Sequence, residues 1–280
     1  MPPSEKEYES LRKKDGHFLY YRKWSLSEPR ASLLLLHGMG GYSGRFFELA
    51  PFLNEHGFHV EAFDFQGFGV SEEKRGHIPH FSHYEKDILL FLEKMKKESP
   101  NRKHFIVAES MGALMTLSLL IHHPDAVNGA VLLSPALKDN LPLSLRERAL
   151  LAGAAFFTPQ RYFPVGFQTS QFTRDERIAA KIERDELEVR NITAKSFYEI
   201  LKGMTSVNFQ ANKITTPLLI QQAGIDYLVS AAASEAFYNR LPGPDKFFIL
   251  YKGFYHALYL DQGRKQVFQD MVHWLEKRTS

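Results

Sequence analysis

The chain is predicted to fold as an α/β domain, with a mostly parallel central sheet, helices on both faces and a helical cap inserted late in the order of elements. Three observations carry this prediction. Short apolar runs alternate with longer amphipathic segments. Several of those runs stop at glycine-bearing loops, as buried parallel strands do. From residue 136 to residue 212 the alternation is suspended and then resumes. At 280 residues, 44% of them apolar and 24% charged, one large domain with an insertion suits the length better than two domains.

Taken in order, residues 8–13 and 17–24 read as strands joined by the turn Asp15-Gly16, an antiparallel edge. Residues 31–36 are almost wholly apolar and end in His37-Gly38-Met39-Gly40-Gly41, a buried strand meeting a loop. Residues 46–56 follow as a helix closed by Gly57. The cycle repeats with a strand at 58–63, a loop at 64–69, a helix at 84–98, a strand at 104–108, a helix at 111–122 and a strand at 130–133. Such repetition implies right-handed crossovers. The core's first part is therefore 1–135. The cap, 136–212, reads as helices without strands, including an apolar stretch at 141–157 and a capping box at Thr173 and Glu176. The core's second part, 213–280, supplies strands at 217–222 and 246–251 and helices at 231–241 and 266–277.

Composition excludes several functions. The formal charge is +3, with basic and acidic residues interspersed, which does not favour a nucleic-acid partner. The absence of cysteine rules out a thiol nucleophile, disulfides and thiolate zinc sites. Residues 1–10 are polar, without the apolar region of a secretory leader, and no run approaches the roughly 18 apolar residues of a spanning helix. A cytoplasmic protein is expected, able to touch a membrane surface as a peripheral protein.

Ala108-Glu109-Ser110-Met111-Gly112 lies where a strand becomes a helix, the setting of a nucleophilic serine on a tight turn. Small residues two before and two after the serine let strand and helix approach. The plain alternative is a helix N-cap. Two further patterns favour chemistry. Asp226 and His256 follow the last two predicted strands, in the order serine, acid, histidine expected when the triad is built on a parallel sheet. The amides of Met39 and Met111 are placed to hold an oxyanion. The loop at 64–71 is read as structural. His77, His80 and His83 recur every three residues but are interrupted by Pro79 and read as a solvated loop, not a metal site. Glu109, beside the serine, reads as a structural hydrogen-bond acceptor, the alternative being a group that tunes the site electrostatically.

With these residues assembled, the chain resembles the α/β-hydrolase superfamily, in the monoacylglycerol lipase and lysophospholipase branch grouped with the serine aminopeptidase domain. The resemblance runs from about Leu33 to Trp274. It rests on His37-Gly38-Met39-Gly40 with Ser43-Gly44-Arg45-Phe46, on Asp64, Gly67, Gly69 and Ser71, on Arg75-Gly76-His77-Ile78 before Phe81 and Asp87, and on Glu109-Ser110-Met111-Gly112. Leu133-Ser134-Pro135, Gly224 to Asp226, Gly253-Phe254-Tyr255-His256 and, in the cap, Thr173-Arg174-Asp175 and Asp185 complete it. Ala108-Glu109 replaces the family's usual Gly-His, and Ala113 its second glycine. The resemblance implies an α/β-hydrolase fold and a serine hydrolase that cleaves carboxylic esters through an acyl-enzyme, with no metal or organic cofactor and a small-molecule lipid or ester as substrate. A general carboxylesterase, a peptidase or amidase of the same fold, and a catalytically silent binding protein stay open as alternatives. Leu150, Leu151, Phe156, Phe157, Tyr162 and Phe163 are candidates to line an acyl tunnel or to face a membrane surface, the alternative being the cap's own core.

Overall fold

A computed structural model describes residues 8–166 and 168–279. It opens with β1 (Glu9–Arg12) and β2 (Phe18–Trp24), an antiparallel hairpin whose turn places Gly16 at φ 92°. A side chain rarely adopts that conformation, which explains the glycine there. The chain continues through β3 (Ala31–Leu36), a 3₁₀ turn (Ser43–Phe46), α1 (Leu49–Glu55), β4 (Phe58–Phe63), α2 (Phe81–Glu98), β5 (His104–Glu109), α3 (Ser110–His122) and β6 (Gly129–Leu133). The helix expected at 46–56 is thus a 3₁₀ turn followed by a shorter α-helix, and α2 starts three residues before its expected start.

Between β6 and the next core strand lie α4 (Leu145–Phe157), β7 (Tyr162–Pro164), α5 (Glu176–Arg184), β8 (Asn191–Thr193) and α6 (Ala194–Phe209). The cap was expected to lack strands, but β7 and β8 pair antiparallel. Three residues are too few to display a period of two, so the pattern carried no strand signal. The capping box expected at Thr173 and Glu176 is also replaced. Asp175 is the N-cap of α5 and accepts from the amides of Arg177 and Ile178, while Thr173 Oγ1 donates to Leu260 O. The nearer carboxylate takes the free amides. Reciprocal boxes are found instead at the start of α4, between Ser144 and Glu147, and between Gln168 and Gln171.

The core resumes with β9 (Leu218–Ala223), α7 (Ala231–Arg240), β10 (Lys246–Tyr251) and α8 (Arg264–Thr279). The eight-stranded sheet runs β1-β2-β4-β3-β5-β6-β9-β10, antiparallel only at β1-β2 and β2-β4. Every residue of β3, β4, β5, β6 and β9 is buried, as happens when helices cover both faces of a sheet. The loop after β4 is knit by Asp64, whose carboxylate accepts from the amides of Ser43 and Val70. His77 contacts Thr193, and His80 caps α2. Among the described residues no group of His, Asp or Glu side chains is arranged to hold a metal ion, and no helix is long and apolar enough to cross a membrane.

The segment between β6 and β9 is tied to the rest of the chain by a buried ion pair. Arg45 donates through Nε to Glu188 Oε1 at 2.6 Å and through Nη2 to Glu188 Oε2. Beside it, Val189 N donates to Gly40 O at 2.9 Å.

Candidate active site

Ser110 follows β5 and begins α3 with φ 50°, a left-handed conformation that is costly for any residue with a Cβ. The turn it makes is tight. A Cβ at Gly112 would lie 2.6 Å from Leu36 O and 2.7 Å from His37 O, which is why glycine is needed there. Ala108, wholly buried, pairs with Leu36 on one side and Leu132 on the other. Met111 is the second residue of α3, so its amide is one of the four at the helix start without an intrahelical acceptor.

Asp226 follows β9 and His256 follows β10. The ring's Nδ1 lies 2.8 Å from Asp226 Oδ2 and 3.0 Å from Oδ1, so Nδ1–H is the donor and Nε2 is left as the basic nitrogen. Asp226 is itself held, Oδ1 accepting from the amides of Leu228 and Val229 at 2.9 Å and Oδ2 from Gln222 Nε2 at 3.2 Å. Burial alone would lower the imidazole's pKa; the Asp226 carboxylate overcomes it and raises the pKa above its ordinary value. The histidine loop is pinned by Ser134, at φ 41° after β6, whose hydroxyl donates to His256 O at 2.9 Å.

The loop after β3 orients the Met39 amide. His37 is fully buried and its pKa is pushed down to about 3 by loss of solvent, so its ring is neutral. Its Nε2 accepts from Phe65 N at 3.0 Å, which leaves the proton on Nδ1 to donate to Gly38 O at 2.8 Å. Gly41 N donates to the same carbonyl. In a planar trans peptide the N–H points opposite to the C=O, so fixing Gly38 O aims Met39 N–H. Met39, Ser110, Met111 and His256 all border one cavity.

Residues 27–263 match the serine aminopeptidase S33 family. The chain belongs to this family. This S33 hydrolase is 28% identical to the monoglyceride lipase of Homo sapiens over 271 residues, which is 95% of this chain and 89% of that protein. It is 27% identical to the phospholipase YtpA of Bacillus subtilis over 88% of this chain and 95% of the relative. It spans only 28% of the length of an uncharacterized abhydrolase domain-containing protein of Dictyostelium discoideum, to which it is 27% identical. The crystal structure of the Paleococcus ferrophilus monoacylglycerol lipase superimposes with a TM-score of 0.86 at 28% identity, covering 93% of this chain and 99% of that one. The fold is that of an α/β hydrolase.

The cavity of this S33 hydrolase has mainly apolar walls. One wall is the stripe Phe197, Ile200, Leu201 and Met204 of α6, and another is formed by Leu228 and Val229 beside Asp226. None of the six cap residues proposed for an acyl tunnel borders it, which corrects that expectation. Leu150, Phe156, Phe157 and Tyr162 are exposed, whereas Leu151 and Phe163 are partly buried. The reason is layering: α6 packs against both α3 and α4, so α6 faces the cavity and α4 is outermost. The α6 stripe recurs at i, i+3, i+4 and i+7 and was legible as one helical face.

Proposed function

We propose that this chain hydrolyses fatty-acid esters of glycerol through an acyl-enzyme on Ser110. The observation that carries this reading is a serine on a strained strand-to-helix turn, sharing an apolar cavity with a histidine whose far nitrogen is bound to a buried aspartate. His256 Nε2 takes the Ser110 proton as Oγ attacks the ester carbonyl, and Asp226 stabilises the imidazolium. The carbonyl oxygen becomes an oxyanion between the amides of Met39 and Met111. As it collapses, the carbon–oxygen bond to the alcohol breaks and His256 returns the proton to that oxygen. Water, deprotonated by the same imidazole, then attacks the acyl carbon; the bond to Ser110 Oγ breaks, His256 returns the proton to that oxygen, and the fatty acid is released. Each proton and leaving group is accounted for by these residues.

The apolar cavity supports a long acyl chain, and the monoglyceride lipases among the relatives support glycerol as the alcohol. The Bacillus subtilis phospholipase supports a lysophospholipid as a second reading. On this proposal residues 136–212 act as a cap. The exposed Leu145, Leu150, Phe156 and Phe157 of α4 then rest on a lipid surface, as a peripheral protein of the cytoplasm would allow. Fatty-acid release from matched monoacylglycerols, lysophospholipids and short soluble esters tests the reading. Ser110→Ala should lose on the order of 10⁶ in kcat. Equal activity in wild type and Ser110→Ala would sink it.

A further inference from the structure

We propose that Glu109, the residue immediately before Ser110, is a positioning residue for the reaction, holding the oxyanion loop to the histidine loop and so aiming the Met39 amide. This rests on the serine-hydrolase reading of Ser110. Glu109 is wholly buried at the end of β5. Its Oε2 accepts from Gly38 N at 3.0 Å and from Tyr259 OH at 3.1 Å. Gly38 directly precedes Met39, and Tyr259 lies three residues after His256. One oxygen therefore joins the two loops that must cooperate around the tetrahedral centre.

The argument turns on Gly38. Glycine has the freest backbone of any residue, and on its own would let the following amide swing. Here the peptide on its amino side is held by Glu109, and the peptide on its carbonyl side by His37 and Gly41. With both flanking planes fixed, neither torsion of Gly38 is free and the Met39 N–H has one direction. A Cβ on residue 38 would lie 2.8 Å from Glu109 Oε2 and 3.2 Å from Ser110 Cβ, so the loop needs glycine to come this near the carboxylate. The carboxylate itself is an expensive way to fill space. Its other oxygen, Oε1, is buried with no hydrogen-bond partner, and a buried polar atom left unpaired is a burden to stability. A group retained at that cost is explained by the geometry it enforces on residues 38 and 39.

The test uses Glu109→Met, which fills the same volume without an acceptor, and Glu109→Gln, which keeps an oxygen for both donors. A fluorophosphonate probe first counts competent Ser110 sites, so misfolded molecules drop out of the rates. A long-chain trifluoromethyl ketone, which adds to the serine as an anionic hemiketal, then reports oxyanion binding. Per titrated site, Glu109→Met is expected to lose about 10²-fold in kcat, with KM within about twofold, and to lose ketone affinity by the same factor. Glu109→Gln should recover most of both. A Glu109→Met rate within about threefold of wild type, or a lower rate with unchanged ketone affinity, would overturn the proposal. If Glu109→Met yields no competent sites, Tyr259→Phe, which removes one of the two bonds to Oε2, must show parallel smaller losses in kcat and ketone affinity; no loss there overturns it equally. Failure of the serine-hydrolase reading is a separate result, seen as a wild type that the probe does not label.

Discussion

The ends of the parallel strands and the cap above them are built on different rules. Ser110, Asp226 and His256 sit just past β5, β9 and β10, and each is held by backbone geometry or by hydrogen bonds from backbone amides and its neighbours. From residues 136–212 the cavity takes a side-chain stripe on α6 together with Leu141, Val165 and Phe172, while the outer helix α4 meets solvent with large apolar residues. Strand register therefore sets the position of Ser110, Asp226 and His256, and on the proposed function side-chain choice on α6 sets what fits beside them. A change at the strand ends should affect every ester alike, whereas a change in the cap should reorder substrates.

The largest effect expected among tests of this contrast is from Asp226→Asn, which should lower kcat by about 10⁴ on long and short esters equally. The same variant should shift the pH profile. Burial favours the neutral imidazole, and Asp226, with a lesser contribution from Glu109 and against Arg45, raises the His256 pKa. Wild-type kcat/KM should therefore gain its acidic limb above 6.5, and removing the charge should move that limb to lower pH. A pH-stat titration that finds the limb unmoved would remove His256 as the base. Next in size is Ile200→Trp, which narrows the cavity from α6. It should cut kcat/KM for long-chain monoacylglycerol by about 10- to 200-fold relative to a butyrate ester. Loss by one common factor at every chain length would erase the distinction between the two regions. Smallest is the double change Phe156→Ser with Phe157→Ser. Binding to phosphatidylcholine–phosphatidylglycerol vesicles, measured by sedimentation, should weaken by about tenfold or more, with turnover of a soluble ester within about twofold. Unchanged vesicle binding would leave the outer face of α4 without this role.

Legibility in the sequence followed the same division. The apolar run at 31–36, the elbow at 108–112 and the strand-terminal Asp226 and His256 were readable because a buried parallel strand ends at a fixed place and the next few residues inherit its position. The belonging to the α/β hydrolases was readable from motifs spread over most of the chain. The cap was harder. The pairing of β7 with β8 joins segments far apart in the chain through three residues each. Aromatic residues in α4 looked like a tunnel, because exposure and burial cannot be told apart when most of a helix's residues are apolar. Only the layering of α4 on α6 on α3 decides which helix reaches the cavity, and layering is a tertiary fact. Ser134 lies in the motif Leu133-Ser134-Pro135, yet its hold on the histidine loop depends on β6 and β9 being neighbours.

The Arg45–Glu188 pair constrains how this chain can be recombined or can diverge. Loops and caps are usually treated as exchangeable parts on a hydrolase scaffold, yet here the scaffold carries a buried cation whose counterion belongs to the insertion. A foreign cap grafted between residues 135 and 213 would strand that guanidinium unless it brought an acid to the same place, at a cost of about 3–5 kcal/mol, a large share of the stability of a domain. Chimeras that also change Arg45 to an apolar residue of similar volume should fold where simple grafts do not. Drift in the lineage should accordingly replace the two residues together.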